Sequence, residues 1–434
     1  KTPDAKLQMK MLLKTAAGKI GQRVFARISP AQAEKLIGKD TVVIDGVFGT
    51  GFRIDPHAAG SRKNRQGGAV EKLSKLFEAA GSAGFVLSID VPSGVDADTG
   101  EAESYAIVSD CTVTFTVPKL GLYVSPGSLY SGDVVVKGLF VPRTEIKTNY
   151  EFVDEDTAKN IARDLKRKPN SHKGSYGHVA VISSAKGMEG AVAMSGMAAL
   201  RAGAGLLSVI AVGEKEESLR KRMPMLASEA MIKEYDSKAL SKFSVVIVGP
   251  GFGKQRKKEL KSILKRTKCP MVIDADALNL IAENKSFIKI IKNKNVVLTP
   301  HPGEMSRLTG EKDVQAHRLR TLEKFIKGRK FSVLFKGYRS MLGVEQGAGT
   351  RGGIFINSSG NPALSKGGSG DVLSGIIAAF IAQGIKPADA GVLGAYVHGL
   401  CADRLVKKKK VSSLGLMPTD VIKELGAVLK CLTE

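Results

Sequence analysis

Short runs rich in Val and Ile recur along this chain, and nearly every one stops at Gly, Pro, Asp or His: TVVIDGVF, FVLSIDVP and CTVTFTVP, then GHVAVISS, LLSVIAV, SVVIVGP, PMVIDAD, VVLTPHP and SVLFKG. Segments of helical length separate them. Strands alternating with helices call for parallel sheets covered on both faces, hence an α/β fold built of αβα layers. In such sheets the ligand sits beyond the carboxyl ends of the strands, so the residues that stop the runs are the candidates for function.

The 434 residues are long enough for two domains. The hydrophobic runs break at VPRTEIKTNY, residues 141–150, which places the boundary between 1–148 and 149–434. With 43% hydrophobic and 25% charged residues the chain has material for sizeable cores, and disordered or collagenous classes are excluded. No stretch approaches the roughly 20 apolar residues of a membrane span, and no apolar signal core opens the chain, so a cytoplasmic protein without membrane contacts is expected. The chain starts at Lys1 rather than Met and is expected to be a piece of something longer. Cys111, Cys269, Cys401 and Cys431 lie far apart with no C-x-x-C pair, which gives no disulfide framework and no thiolate zinc site. The formal charge is +24, while residues 1–149 hold 19 basic and 15 acidic side chains, so the surplus falls in the second domain. Basic tracts such as Lys407–Lys410 carry no interleaved aromatics and Trp is absent, which sets nucleic acid aside and leaves phosphorylated small molecules as anionic partners.

The second domain holds the strongest motif, GNPALSKGGSGDVLSGIIAAFIAQG at 360–384. Gly367, Gly368, Ser369 and Gly370 open an apolar helix, where unpaired N–H groups and the positive end of the dipole face an anion. Asp371 stands at that helix start. An isolated Asp there is an ordinary cap, but a cap needs no G-G-S-G before it. Upstream, VVIVGPGFG brings Gly249–Gly253 to a strand end, PMVIDAD brings Asp274 and Asp276, VVLTPHPGE brings His301 and Glu304, and SVLFKG brings Lys336 and Gly337. Singly each is a plain turn; on one sheet edge they form a cleft for a nucleotide and a second ligand.

In the first domain SIDVPSGVDADTG delivers Asp90 to a strand end ahead of Ser93 and Gly94. TVVIDGVFGTGF delivers Asp45 ahead of the turn Gly49, Thr50, Gly51. Glycines there let a ligand approach backbone N–H groups, and two strand-end carboxylates would share that edge.

These first-domain motifs, with CTVTFTVPKLGLYVSPG, resemble the epimerase domain of NAD(P)H-hydrate repair enzymes. The resemblance implies interconversion of R and S hydrates of NADH or NADPH, a potassium ion held by Asp45 and Ser93, and substrate contacts from Gly49, Thr50, Gly51, Phe52, Arg53, Ile54, Asp55 and Asp90. The N-N-G-G-D-G loop of that family is not found, so the domain is expected to lack its first part. From NSHKGSYGHVAVI through GPGFG, DADALN, LTPHPGE and GGSGD to AYVHGLCADRL, residues 150–434 resemble the dehydratase domain of the same enzymes, a branch of the ribokinase-like superfamily. That resemblance implies dehydration of the S hydrate with ADP or ATP, ADP being favoured, and magnesium on the phosphates. It makes Asp371 the general base. Ala191, Gly251, His301 and Asp371 become contacts to the hydrated dinucleotide. Lys336, Gly337, Tyr338, Arg339, Ser340, Asn361 and Gly367–Gly370 become contacts to the nucleotide, and His172 and Lys173 possible supports for the dinucleotide phosphates. Tyr338–Ser340 are larger than the residues expected at that loop. A homo-oligomer is also expected. The competing activity is a ribokinase-like kinase of a small alcohol; a binder that has lost catalysis is the non-enzymatic alternative.

Overall fold

The computed structural model describes residues 29–54, 68–139, 148–183, 187–213, 216–222, 228–345, 352–408 and 410–434. The chain divides into two compact units, one formed by residues up to 98 with 102–122 and 127–140, the other by 99–101, 123–126 and 141–434.

In the first unit four strands, β1 (Val42–Asp45), β2 (Phe85–Ile89), β3 (Cys111–Phe115) and β4 (Asp133–Lys137), lie side by side in that order, all parallel. The helices described here are α1 (Pro30–Leu36) and α2 (Gly68–Ala80). Phe77 of α2, Val86 of β2 and Ile107 form its buried cluster.

The second unit is built on a ten-stranded sheet. Its chain order is β5 (Tyr150–Val153), α3 (Glu155–Ala162), β6 (His178–Ser183), α4 (Glu189–Arg201), β7 (Leu206–Ala211), α5 (Glu216–Arg222), β8 (Met231–Glu234), β9 (Val245–Val248), α6 (Lys257–Arg266), β10 (Met271–Ile273), α7 (Ala275–Glu283), α8 (Ser286–Ile291), β11 (Val296–Leu298), α9 (Pro302–Thr309), α10 (Arg318–Ile326), β12 (Ser332–Phe335), β13 (Met341–Val344), β14 (Gly353–Asn357), α11 (Ser369–Ala382), α12 (Pro387–Lys407) and α13 (Pro418–Thr433). In space the strands run β5-β14-β13-β12-β11-β10-β9-β6-β7-β8. Every residue of β9, β10, β11 and β12 is buried, as expected of strands covered on both faces. β12, for instance, is contacted by both α10 and α12.

The all-parallel expectation fails at one place: β13 is antiparallel to β12 and to β14. The connection of five residues from Phe335 to Met341 is too short for a crossover, so the chain must turn back as a hairpin. Because β13 reverses, β14 again runs with β12, and its terminal Asn357 reaches the same edge as the ends of β10, β11 and β12. Helix α11 reaches that edge by lying close on α4. A Cβ on Gly375 would stand 2.1 Å from the Ser195 carbonyl oxygen, so only glycine permits the approach. Among the described residues no helix is long and apolar enough to cross a membrane.

Candidate functional site

The ends of β10, β11, β12 and β14, the start of α11 and one side of α12 enclose a cavity of about 710 Å³, large enough for a nucleotide. At its floor Gly368 takes a left-handed φ of +95° and gives α11 a cap without a side chain. The Ser369 N–H turns back to the Lys366 carbonyl at 3.2 Å, while no side chain caps the N–H groups of Gly370 and Asp371, which stay open to an anion, reinforced by the dipole of a 14-residue helix. The neighbouring helices are closed differently: Asp274 caps α7, and His301 with Glu304 forms a capping box on α9.

Charge is concentrated beside that open turn. A Cβ on Gly370 would lie 3.3 Å from Lys336 Nζ and 3.5 Å from Asp274 Oδ2, which brings the helix start against an ion pair. Lys336 Nζ donates to Asp274 Oδ1 at 2.8 Å. Asp274, 2% exposed, also accepts from the Ala275 N–H and from the Ser374 hydroxyl, each at 2.9 Å. Burial opposes the charge on Lys336, but Asp274 and Glu304 outweigh it and hold the ammonium above its ordinary pKa. Asp371, in the first turn of α11, is pushed up to about 7 by burial first and by the nearby Asp274 carboxylate next, with Lys336 opposing. A carboxyl poised near neutrality can take a proton from a substrate hydroxyl. Ser374 is fully buried and its hydroxyl donates to Asp274. Ser374→Ala is expected to cost about 2 kcal/mol in urea unfolding, the value of a hydrogen bond to a buried charge.

On the next strand end, His301 Nδ1 accepts from the Gly303 and Glu304 N–H groups at 3.1 and 3.4 Å, which leaves the proton on Nε2. Burial, then Lys336 and Arg307, lower its pKa, so the ring is neutral. Its Nε2 lies 3.5 Å from Oε1 of Glu304. Glu304 is 4% exposed, accepts the His301 N–H at 2.8 Å and is raised to about 7 by burial. Gly337–Ser340 form the rim: the Ser340 hydroxyl donates to the Gly337 carbonyl, Arg339 donates to the Ser358 carbonyl at 2.7 Å, and Tyr338 is exposed. Asn361 lines the cavity with its side chain engaged, donating to Asp403 at 2.8 Å and accepting the Ala363 N–H.

Asp371, His301, Lys336–Ser340, Asn361 and Gly367–Gly370 thus come together. Ala191 and Gly251 do not line this cavity; they adjoin one another, since a Cβ on Gly251 would meet Met188 and Val192 of the segment carrying Ala191. Asp276 is occupied in accepting the Gly253 N–H at 2.9 Å. His172 and Lys173 stand apart from this cavity: they form a 3-10 turn ahead of β6, where the Lys173 carbonyl abuts Gly205 just before β7, at the opposite edge of the sheet.

In the first unit Asp45 is 2% exposed, and its two oxygens accept from Ser93 Oγ (2.6 Å), Ser93 N–H (2.8 Å), Ser88 Oγ (2.9 Å) and Val47 N–H (3.3 Å). Ser93 Oγ in turn accepts the Phe48 N–H at 2.9 Å. A carboxylate offers about four acceptor positions and all are filled, so Asp45 presents no free lone pair to a potassium ion in this arrangement, while the Ser93 hydroxyl, donating once and accepting once, keeps one. Asp90 has a φ of +70°, unusual for a non-glycine, and pairs with Lys119 at 2.8 Å. Burial would raise its pKa, but Lys119, Thr114 and the Phe115 N–H together lower it. Lys119 lies inside CTVTFTVPKLGLYVSPG, directly after the Val-Pro strand stop, but nothing in that run marks it as the partner of Asp90. The turn Gly49–Ile54 is closed by Phe52 N–H on the Gly49 carbonyl, with Arg53 paired to Asp98 at 2.7 Å. Asp55 lies outside the described residues.

Comparison with known proteins gives two family matches: residues 179–426 fit the family described as NAD(P)H-hydrate dehydratase, and residues 2–121 fit the YjeF-related protein N-terminus. The bifunctional NAD(P)H-hydrate repair enzyme Nnr of Coxiella burnetii is 34% identical over 91% of this chain and 77% of its own length. The enzyme of that name from Moorella thermoacetica is 32% identical over 91% and 73%. Among solved structures, a ribokinase-like superfamily protein of Enterococcus faecalis is 28% identical with a TM-score of 0.54, covering 66% of this chain and 98% of that one. A Bacillus subtilis protein named as ADP/ATP-dependent NAD(P)H-hydrate dehydratase, co-crystallised with ATP and magnesium, shares the fold at 24% identity and a TM-score of 0.55, over 66% of this chain and 100% of that one.

Proposed function

The chain belongs to the bifunctional NAD(P)H-hydrate repair enzymes, and from that premise we propose that residues 149–434 dehydrate the S hydrate of NADH or NADPH with ADP as phosphoryl donor, while residues 1–148 carry the epimerase part. One observation carries the dehydratase reading: the open start of α11, the Lys336–Asp274 pair and Asp371 face a single cavity.

Water is a poor leaving group, so the C6 hydroxyl must first be activated. Asp371 takes the hydroxyl proton as the C6 oxygen bonds to the terminal phosphorus of ADP and the phosphoanhydride P–O bond breaks, releasing AMP. Charge on the transferred group meets the Gly370 N–H and the Lys336 ammonium, donors already in place before reaction. The C6–O bond then breaks, phosphate departs with the electron pair, and loss of a proton from C5 restores the ring double bond. Magnesium, when bound on the nucleotide's phosphates, would neutralise part of their charge. Lys336–Ser340, Asn361 and Gly367–Gly370 take the nucleotide; His301, Ala191 and Gly251 take the hydrated dinucleotide. In the epimerase part Asp90 and residues 49–55 take the same substrate, and no step is routed through potassium. The reading carries with it a cytoplasmic homo-oligomer.

The test mixes the protein with hydrated NADH, magnesium and either ADP or ATP and follows the dihydronicotinamide absorbance. Its return with ADP, faster than with ATP, is the expected result. Phosphate retained on the product, with no absorbance regained, would instead identify a small-alcohol kinase.

A further inference from the structure

One group in the cavity wall has no work in the chemistry above. His398 lies on the inner side of α12, 7% exposed, with its ring against the cavity. A backbone hydrogen bond with Ser369, the first residue of α11, engages one ring nitrogen, while Nε2 is buried without any partner. A buried polar atom left unpaired is costly and calls for a partner. Polar groups lining the same side of the cavity are committed to one another. Asn357 Nδ2 donates to the Ser359 and Ala395 carbonyls, the Ser359 hydroxyl to the Tyr396 carbonyl at 2.8 Å, and the Gly360 N–H to Asp403 at 2.7 Å.

A ring that donates through Nδ1 to the Ser369 carbonyl leaves Nε2 as a bare lone pair. Such an atom accepts an N–H or O–H and repels an anionic phosphate oxygen. It stands one residue contact from the open turn of α11, where the phosphates belong. We propose that His398 Nε2 accepts a hydrogen bond from a sugar hydroxyl or the base amine of the bound nucleotide, and so fixes which end of the nucleotide lies on the helix and which lies against α12. This rests on the reading of the cavity as a nucleotide site. Burial first, and Lys336 next, lower the ring's pKa to about 4, so the acceptor persists across the neutral range.

Calorimetry with ADP, inosine diphosphate and the 2′- and 3′-deoxy forms of ADP tests the idea. The wild-type protein should bind one analogue about tenfold more weakly than ADP, since the lost donor leaves Nε2 unpaired. Weakening with inosine diphosphate names the amine; weakening with a deoxy form names the hydroxyl. His398→Leu should erase that discrimination and His398→Gln, whose amide oxygen still accepts, should keep part of it. If the leucine variant does not fold, the analogue series on the wild type and the glutamine variant decide. Equal binding of all four ligands, or discrimination unchanged in the folded leucine variant, overturns the role of His398 and leaves the nucleotide site standing. Failure of the wild type to bind ADP at all removes both.

Discussion

Asp371→Asn is expected to slow the ADP-dependent return of hydrated NADH to NADH by about 10²–10⁴-fold, the usual loss when a positioned base is removed. Asparagine keeps the shape at the first turn of α11 and cannot take the proton of the C6 hydroxyl. Nucleotide affinity should change little, because the N–H groups that meet the phosphates belong to the backbone around Gly368. A wild-type rate with the asparagine variant would exclude Asp371 as the base. The pH profile adds an independent reading. With its pKa raised to about 7, Asp371 is ionised only above neutrality, so kcat/KM should fall about tenfold per pH unit below that value.

The same shift has a consequence for stability whose sign is opposite to that of a salt-bridged carboxylate. Unfolding returns Asp371 from about 7 to its ordinary value near 3.8, so the ionised carboxylate weakens the fold. The penalty is absent below the unfolded value, grows between the two and is complete above about 7. The asparagine variant carries no such penalty. Its unfolding free energy relative to wild type should therefore rise as pH increases through that window, while its activity is lost throughout.

Much of this site can be read from strand ends. Asp274, His301, Lys336 and Asp371 each follow a hydrophobic run or a glycine turn, and in a parallel sheet such positions converge whatever the details of packing. What the runs do not encode is the reversal at β13, whose Met-Leu-Gly-Val is too short and too plain to signal direction. That reversal brings Asn357 and the 358–361 loop to the cavity. His172 and Lys173 lie away from the cavity for the complementary reason: they precede a strand, and residues before a parallel strand fall at the far edge. Ser374 and His398 are silent in sequence, since each sits inside an apolar helix and gains meaning only from Asp274 across the sheet edge or from the unpaired Nε2 beside the cavity. In the first unit, proximity is legible but valence is not. Asp45 and Ser93 do meet, yet the further hydrogen bonds that fill the Asp45 carboxylate come from Val47 and Ser88, and no motif announces those.

Lys336→Met is the second substitution with a large expected effect, and it acts on three carboxylates at once. Asp274 is bonded to the ammonium, while Glu304 and Asp371 both feel it as the charge that lowers their pKa. With methionine in its place Asp274 keeps the Ala275 N–H and the Ser374 hydroxyl but no counter-charge, at 2% exposure. Breaking a buried pair from one side costs about 3–5 kcal/mol, which urea unfolding at neutral pH will register. In whatever fraction stays folded, Asp371 should titrate above the wild-type value of about 7, so the acid limb of activity moves to higher pH. A purely structural lysine would lower stability without moving that limb. The partner substitution separates the two effects. Adding Asp274→Asn to Lys336→Met removes the orphaned charge, so the double variant should be more stable than the lysine variant alone, a coupling expected only of groups in direct contact. It should nevertheless remain poorly active, because the ammonium that meets the transferring phosphoryl group is still absent. Recovery of both stability and rate in the double variant would mean that Lys336 serves Asp274 alone.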